Sequence, residues 1–208
     1  MEHYLNRFDR IAPIYDSIAR LVFCGAIRKA QETHLNRIPP HAKVLVLGGG
    51  SGKWMERLFN LNPGCTIYFI EASSRMLRLA KKNNSKYSQQ IEFIHGTHLS
   101  APLVQFDVLI THFFLDMFSD DGLVDLITLV KDRLKRNGIW IVADFVDQRW
   151  WHRLLLRIMY SFFRLVGAID IGKLPEWESA IKDKGIFTDQ TRYFFGSFIS
   201  CKSFKVSS

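Results

Sequence analysis

The chain has 208 residues, near the upper end of the roughly 100–200 expected of one domain. Hydrophobic residues at 48% supply a sizeable core, and 23% charged residues exclude a disordered chain. The net charge of +8 favours anionic partners: nucleic acid, an acidic lipid surface or an anionic small molecule. Cys24, Cys65 and Cys201 are far apart and form no C-x-x-C, which argues against a disulfide framework or zinc knuckle and for a reducing, cytoplasmic setting. The Met-Glu-His-Tyr start has no basic region leading into an apolar run, so no signal peptide is expected. No uncharged apolar stretch reaches the ~18 residues of a membrane span.

In chain order, residues 3–37 read as helical, with a break at Ala12-Pro13 and an end at Pro39-Pro40. Val44–Leu47 is a continuous apolar run suited to a strand buried on both faces. Lys53–Leu61 reads as a helix closed by Asn62-Pro63-Gly64, and Thr66–Ile70 as a second strand. Ser73 can cap a helix running to about Asn83. Ile91–His95 and Phe106–Thr111 are the third and fourth strands.

Ser119-Asp120-Asp121 opens a long helix with its acids at the positive end of the dipole. Lys131, Arg133, Lys135 and Arg136 fall at the negative end, with Gly138 as the stop. Ile139–Phe145 is the fifth strand and Gln148–Leu165 a basic, aromatic helix. Pro175 and Gly185 frame a short helix. Thr191–Phe195, Gly196-Ser197 and Phe198–Phe204 form a hairpin with a two-residue turn. This alternation predicts an α/β fold: a parallel sheet with helices on both faces. The divisions are a helical cover over 1–40, a core over 41–147, a lid helix over 148–173, and a helix with hairpin over 174–208.

The most informative segment is the first strand with Gly48, Gly49, Gly50, Ser51 and Gly52, followed by Glu71 at the end of the second strand. Such glycines let backbone approach a ligand, and such an acid accepts hydrogen bonds from ribose hydroxyls. A dinucleotide G-x-G-x-x-G would put its third glycine at Lys53. A phosphate loop would put its first glycine at Leu47, and Trp54 replaces its hydroxyl residue. What remains is G-x-G-x-G.

That pattern resembles motif I of the class I S-adenosylmethionine-dependent methyltransferases. Phe8 through Asp16 is similar to the N-terminal signature of the quinone-biosynthesis C-methyltransferase group, and Glu71 through Ala80 to its acid–x–Ser–x–x–Met–Leu–x–x–Ala segment. Phe93 through His98 occupies the adenine-contact turn, and Phe106 through His112 resembles motif IV. The resemblance implies a Rossmann-like seven-stranded sheet, mostly parallel, with an antiparallel C-terminal hairpin strand and an N-terminal helical cover. It implies S-adenosyl-L-methionine held by Gly48, Gly49, Gly50, Gly52 and Glu71, with Ala72, Met76, Thr97 and His98 around adenine. Tyr15 would close the methionine end, and Thr111 belongs to the cofactor side of motif IV. The expected partner is a small, lipophilic acceptor methylated at carbon or oxygen, with His112 as the residue that takes a proton or orients it.

Three positions depart from the family pattern. Val46 and Thr97 stand where acids are usual. Thr111-His112-Phe113-Phe114 replaces the Asn-Pro-Pro-Tyr of amino-methylating nucleic-acid enzymes, which argues against bases or glutamine amides as acceptors. His95, His98 and His112 lie in separate segments without acid or cysteine partners at ligand spacing, so no metal is expected. No G-x-S-x-G elbow surrounds Ser51, which argues against hydrolysis with His112 and Asp116.

Arg149, Arg153 and Arg157 recur every four residues and share one face of the basic helix. The readings are a buried cover with a solvated arginine edge, or a lid that also rests on an anionic membrane. Two other functions fit parts of the pattern. One is binding of an adenosyl ligand without catalysis. The other is nucleic-acid binding through the +8 charge, against which stands the lack of a recognition-helix or RNA-platform motif.

Overall fold

A computed structural model describes residues 22–165 and 173–206. Its strands are β1 (Lys43–Leu47), β2 (Thr66–Glu71), β3 (Ile91–His95), β4 (Phe106–His112), β5 (Leu134–Phe145), β6 (Ile186–Phe194) and β7 (Ile199–Val206). They form one sheet in the order β3-β2-β1-β4-β5-β7-β6. The first five are parallel, and β7 runs antiparallel to both β5 and β6. The expected seven-stranded architecture is therefore present. From β1 the chain goes outward to β2 and β3 on one side, then returns to β4 and β5 on the other. That reversal opens a crevice at the carboxyl ends of β1 and β4, where ligands bind in open α/β sheets.

The helices are α1 (Ala26–Glu32), α2 (Met55–Leu61), α3 (Ser74–Asn83), α4 (Asp120–Arg133), α5 (Trp150–Leu165) and α6 (Trp177–Asp183). Alternation along the strands divides the core. Leu45, Leu47, Leu109, Trp140 and Val142 pack with α4 and α6 through Leu123, Leu126, Ile127, Trp177 and Ile181. Val44, Val46, Ile67, Phe69 and Ile110 pack with α2 and α3 through Met55, Leu58, Leu77 and Ala80. A third cluster joins Ala143, Phe145, Phe198 and Ile199 to α1 and α5 through Ala26, Ala30, Leu156 and Tyr160.

Several boundaries differ from the sequence reading. Within the described part of 3–37, the helix stops at Glu32, because His34 takes φ 65°, and a 3-10 turn follows over Leu35–Arg37. The first glycine-loop helix starts at Met55 rather than Lys53, because Gly52 still holds the left-handed φ of 64°. The long helix keeps its Ser119 cap, whose Oγ accepts from the Gly122 N–H at 3.2 Å. It stops at Arg133, however, and not at Gly138. Leu134 is buried and pairs with Phe106, so β5 starts five residues early, with a ladder irregularity before Ile139 pairs with Val108. Lys135 therefore leaves the helix terminus and pairs with Asp107 Oδ1 at 2.7 Å.

The basic helix begins at Trp150. Gln148 donates its backbone N–H to His152 Nδ1 at 3.1 Å, so the imidazole proton lies on Nε2, beside the Gly196 carbonyl at 3.3 Å. The hairpin ladder starts at Ile186, directly after Gly185 (φ 73°), and closes with Phe194 opposite Ile199. The turn is longer than the expected two residues: it spans Phe195 to Phe198, whose N–H donates to the Phe195 carbonyl at 3.0 Å, and Phe195, Gly196 and Ser197 all take positive φ.

Candidate functional site

The crevice is built around Glu71. Its Oε2 accepts the Gly50 N–H and its Oε1 the Ser73 N–H, each at 2.8 Å. One carboxylate thus latches the glycine turn to the start of α3. Ser73 in turn caps α3, its Oγ accepting from Met76 N–H at 3.1 Å. The expected strand end at Ile70 is one residue short, and the extra residue is Glu71 itself, in ladder register with His95.

The glycines have different tasks. Gly48 and Gly49 both direct their N–H groups to the Ile70 carbonyl. A β-carbon at Gly48 would strike the Phe114 ring, and one at Gly49 the Phe69 ring. Gly52 sits against Ala80 and Asn84 of the following helix region. Only Gly50, at φ 61°, faces open space within 4 Å of where a β-carbon would stand. That bare backbone, next to the buried acid, is the surface a nucleoside would cover.

Sequence reasoning missed two residues that hold this loop. Asn83 donates its side-chain amide to the Ser51 carbonyl at 2.8 Å, and Asn84 donates to the carbonyls of Gly52 at 3.1 Å and Ala80 at 2.9 Å. Their only sequence signal is a pair of asparagines at the C-terminus of a helix, where such residues usually serve as stops.

The expected adenine side is tied to the same acid. Gly96 N–H donates to the Glu71 carbonyl at 3.1 Å, and His95 Nε2 donates to the Ala72 carbonyl at 2.9 Å. Met76 is buried at the head of α3. The Thr97 hydroxyl accepts from Leu99 N–H at 3.3 Å and starts a 3-10 turn. His98 lies edge-on to Phe118 at 5.2 Å, and burial lowers its pKa, so the ring is neutral. Tyr15 lies outside the described residues.

Two residues expected at the strand-four end are deeply placed. Thr111 is fully buried, its hydroxyl accepting from the Trp140 indole at 3.0 Å. His112 is buried with its ring edge-on to Trp54 at 4.7 Å. Neither ring nitrogen has a partner among the described residues, and burial pulls its pKa down to about 3. At neutral pH it is an uncharged imidazole and a weak base.

The loop after β4 is held from below by Asp144. Its Oδ2 accepts the N–H groups of Phe114 at 3.1 Å, Leu115 at 2.8 Å and Asp116 at 3.4 Å, and its Oδ1 that of Phe145 at 2.8 Å. Burial nonetheless raises the Asp144 pKa to about 6. Asp116 is also buried, and burial with the nearby Asp144 charge raises it well above the usual carboxylate range. Among the described residues, no group of His, Cys, Asp and Glu is arranged to hold a metal. No helix among them is long and apolar enough to cross a membrane.

Comparison with known proteins agrees with this geometry. Residues 44–138, from β1 to the start of β5, match the family model described as a methyltransferase domain. The chain is 25% identical over 139 residues to carboxy-S-adenosyl-L-methionine synthase of Campylobacter hominis, covering 65% of this chain and 59% of that protein. It is 29% identical over 150 residues to demethylmenaquinone methyltransferase of Thermotoga maritima, covering 70% and 62%. The chain thus spans less than two thirds of the length of these curated relatives. Among solved structures, a methyltransferase from the complex with the Haloferax volcanii Trm112 methyltransferase activator aligns with TM-score 0.76 at 13% identity, over 98% of this chain and 99% of that one. CalO1, a methyltransferase in calicheamicin biosynthesis solved in an S-adenosylhomocysteine-bound form, aligns with TM-score 0.66 at 16% identity, over 93% and 56%. Residues 44–138 thus match a methyltransferase domain model, and the chain has the seven-stranded, Rossmann-like fold seen in S-adenosylmethionine-dependent methyltransferases.

Proposed function

We propose that the chain binds S-adenosyl-L-methionine and transfers its methyl group to carbon or oxygen of a small, lipophilic acceptor. The observation that carries this reading is the Glu71–Gly50 latch beside open backbone. The residues fit the group: Gly50 would admit the nucleoside, Glu71 would take the ribose, and Ala72, Met76, Thr97 and His98 would flank adenine. When bound, S-adenosylmethionine supplies a methyl carbon already attached to a good leaving group. The chain's own task is then alignment and exclusion of water. Phe114, lying over Gly48, and the loop pinned by Asp144 serve that task on the acceptor side. His112, neutral and without a hydrogen-bond partner in the described structure, orients the acceptor in this reading. Calorimetry with S-adenosylhomocysteine, followed by methyl transfer from radiolabelled donor to a panel of phenols, quinols and carbon acids, tests both parts. Flat isotherms at millimolar ligand would end the proposal.

Ligand binding without methyl transfer is the second reading. It is favoured by the low His112 pKa, which removes a strong base from the strand-four end. Bound ligand with no transfer across the panel would select it.

The outer face of α5 supports an acceptor delivered from an anionic membrane. Trp150, Leu154 and Ile158 are 72%, 53% and 59% exposed and lie one helical turn apart. Arg149, Arg153 and Arg157 form the exposed row beside them. Co-sedimentation with vesicles containing phosphatidylglycerol, but not with neutral vesicles, is the expected result. Equal sedimentation with both, or with neither, removes the membrane from the reading.

A further inference from the structure

Helix α5 and the loop after β4 enclose two polar groups that the described residues leave unbonded. Asp116 is 7% exposed with no partner for Oδ1, and Tyr160 is 4% exposed with no partner for its hydroxyl. Asp116 donates its N–H to Asp144, and the next residue, Phe145, packs in the same cluster as Tyr160. Asp144 itself is spent on four backbone N–H groups. Natural structures rarely leave such groups unmatched, and a pair of them in one place calls for a missing third group.

The surroundings describe that group. Tyr160 belongs to the cluster of Phe145, Phe198 and Leu156, with Phe113 packed against it. Phe113 and Phe145 lie 5.0 Å apart, ring centre to ring centre. Phe114, two residues before Asp116, has its ring over Gly48, so the loop lies between the glycine turn and α5. Burial favours the protonated form of both Asp116 and Tyr160, in which each is an O–H donor. Two donors in an apolar, aromatic wall suit an oxygen with lone pairs on a planar, apolar body. The buried Asp144 carboxylate disfavours a second negative charge there.

We propose that Asp116 and Tyr160 form an acceptor-binding pair that takes a neutral hydroxyl or carbonyl oxygen of an aromatic molecule. Calling that molecule the methyl acceptor rests on the proposed methyl transfer; the binding itself does not. The test uses calorimetry on the full chain with 2-naphthol, naphthalene and 2-naphthylmethylammonium, with and without saturating S-adenosylhomocysteine. The expected result is 2-naphthol bound at least about tenfold more tightly than either of the others, since a site with donors for an oxygen rejects ligands lacking it. Tyr160→Phe and Asp116→Ala should each abolish that preference and leave S-adenosylhomocysteine affinity unchanged. Equal affinity for 2-naphthol and naphthalene, no binding of 2-naphthol, tighter binding of the ammonium, or a preference that survives both substitutions overturns the assignment. A chain that prefers 2-naphthol yet ignores S-adenosylhomocysteine sinks the cofactor reading and leaves this one standing. The urea midpoint of Tyr160→Phe gives an independent check. It should equal or exceed that of the unmodified chain, because the hydroxyl lost there bonds nothing. A lower midpoint would mean an internal partner and overturn the proposal.

Discussion

Replacing Glu71 separates the anchor role from the latch role. Glu71→Ala removes the acceptors for both the Gly50 and Ser73 N–H groups, now bonded at 2.8 Å each. Hydrogen bonds to a charged group contribute roughly 1.5–3 kcal/mol. Loss of one such interaction with the ribose corresponds to about 10–150-fold in affinity. Glu71→Gln is the sharper probe. It keeps one carbonyl oxygen, but its amide must face either Gly50 N–H or Ser73 N–H, setting donor against donor. Both variants should weaken S-adenosylhomocysteine in calorimetry, and both should lower the urea midpoint because the loop loses its latch. If affinity is unchanged in both while stability falls, Glu71 is a structural latch only, and the pocket argument is refuted.

Other perturbations read different parts of the site. Gly50→Ala should weaken S-adenosylhomocysteine through a methyl projected into the open side, at a folding cost of about 1–2 kcal/mol for the left-handed backbone. Gly48→Ala adds a collision with Phe114 and should lower the urea midpoint further. His112→Leu removes two unpaired buried nitrogens and should leave the midpoint unchanged or higher, while turnover on any identified acceptor falls at constant cofactor affinity. Burial raises the Asp144 pKa from the ordinary 3.8 to about 6, so the folded state holds its proton where the unfolded chain releases it. Its contribution is therefore present below about pH 4 and lost as pH rises to about 6. Urea midpoints should fall across that window, and the fall should be smaller in Asp116→Asn, which removes the neighbouring acid.

Much of the frame was legible because periodicity and punctuation carry it. The apolar run at Val44–Leu47, the Ser73 cap and the helix start at Ser119 are local signals, and each forms as read. The end of α4 was not legible, because a run of basic residues fits a helix terminus equally well as the start of a strand. Burial of Leu134 against β4, a tertiary contact, decided it. The latch was half legible: spacing pointed to Glu71 and the glycines, but not to Asn83 and Asn84, whose partners are backbone carbonyls more than thirty positions away. Asp144 was invisible for the same reason. A carboxylate whose role is to collect N–H groups from another strand's loop leaves no pattern in its own neighbourhood.

The polar grip on residues 114–116 comes from a side chain of β5 and takes only main-chain N–H groups, while Leu115 is sunk in the core and Phe113 and Phe114 pack beside it. Those hydrogen bonds do not depend on the side chains of Phe113 and Phe114, whereas Leu115 is fixed by packing. If the proposed methyl transfer holds, exchanging Phe113 or Phe114 would alter acceptor scope without loosening the carboxylate's hold, while Glu71 keeps the glycine turn latched.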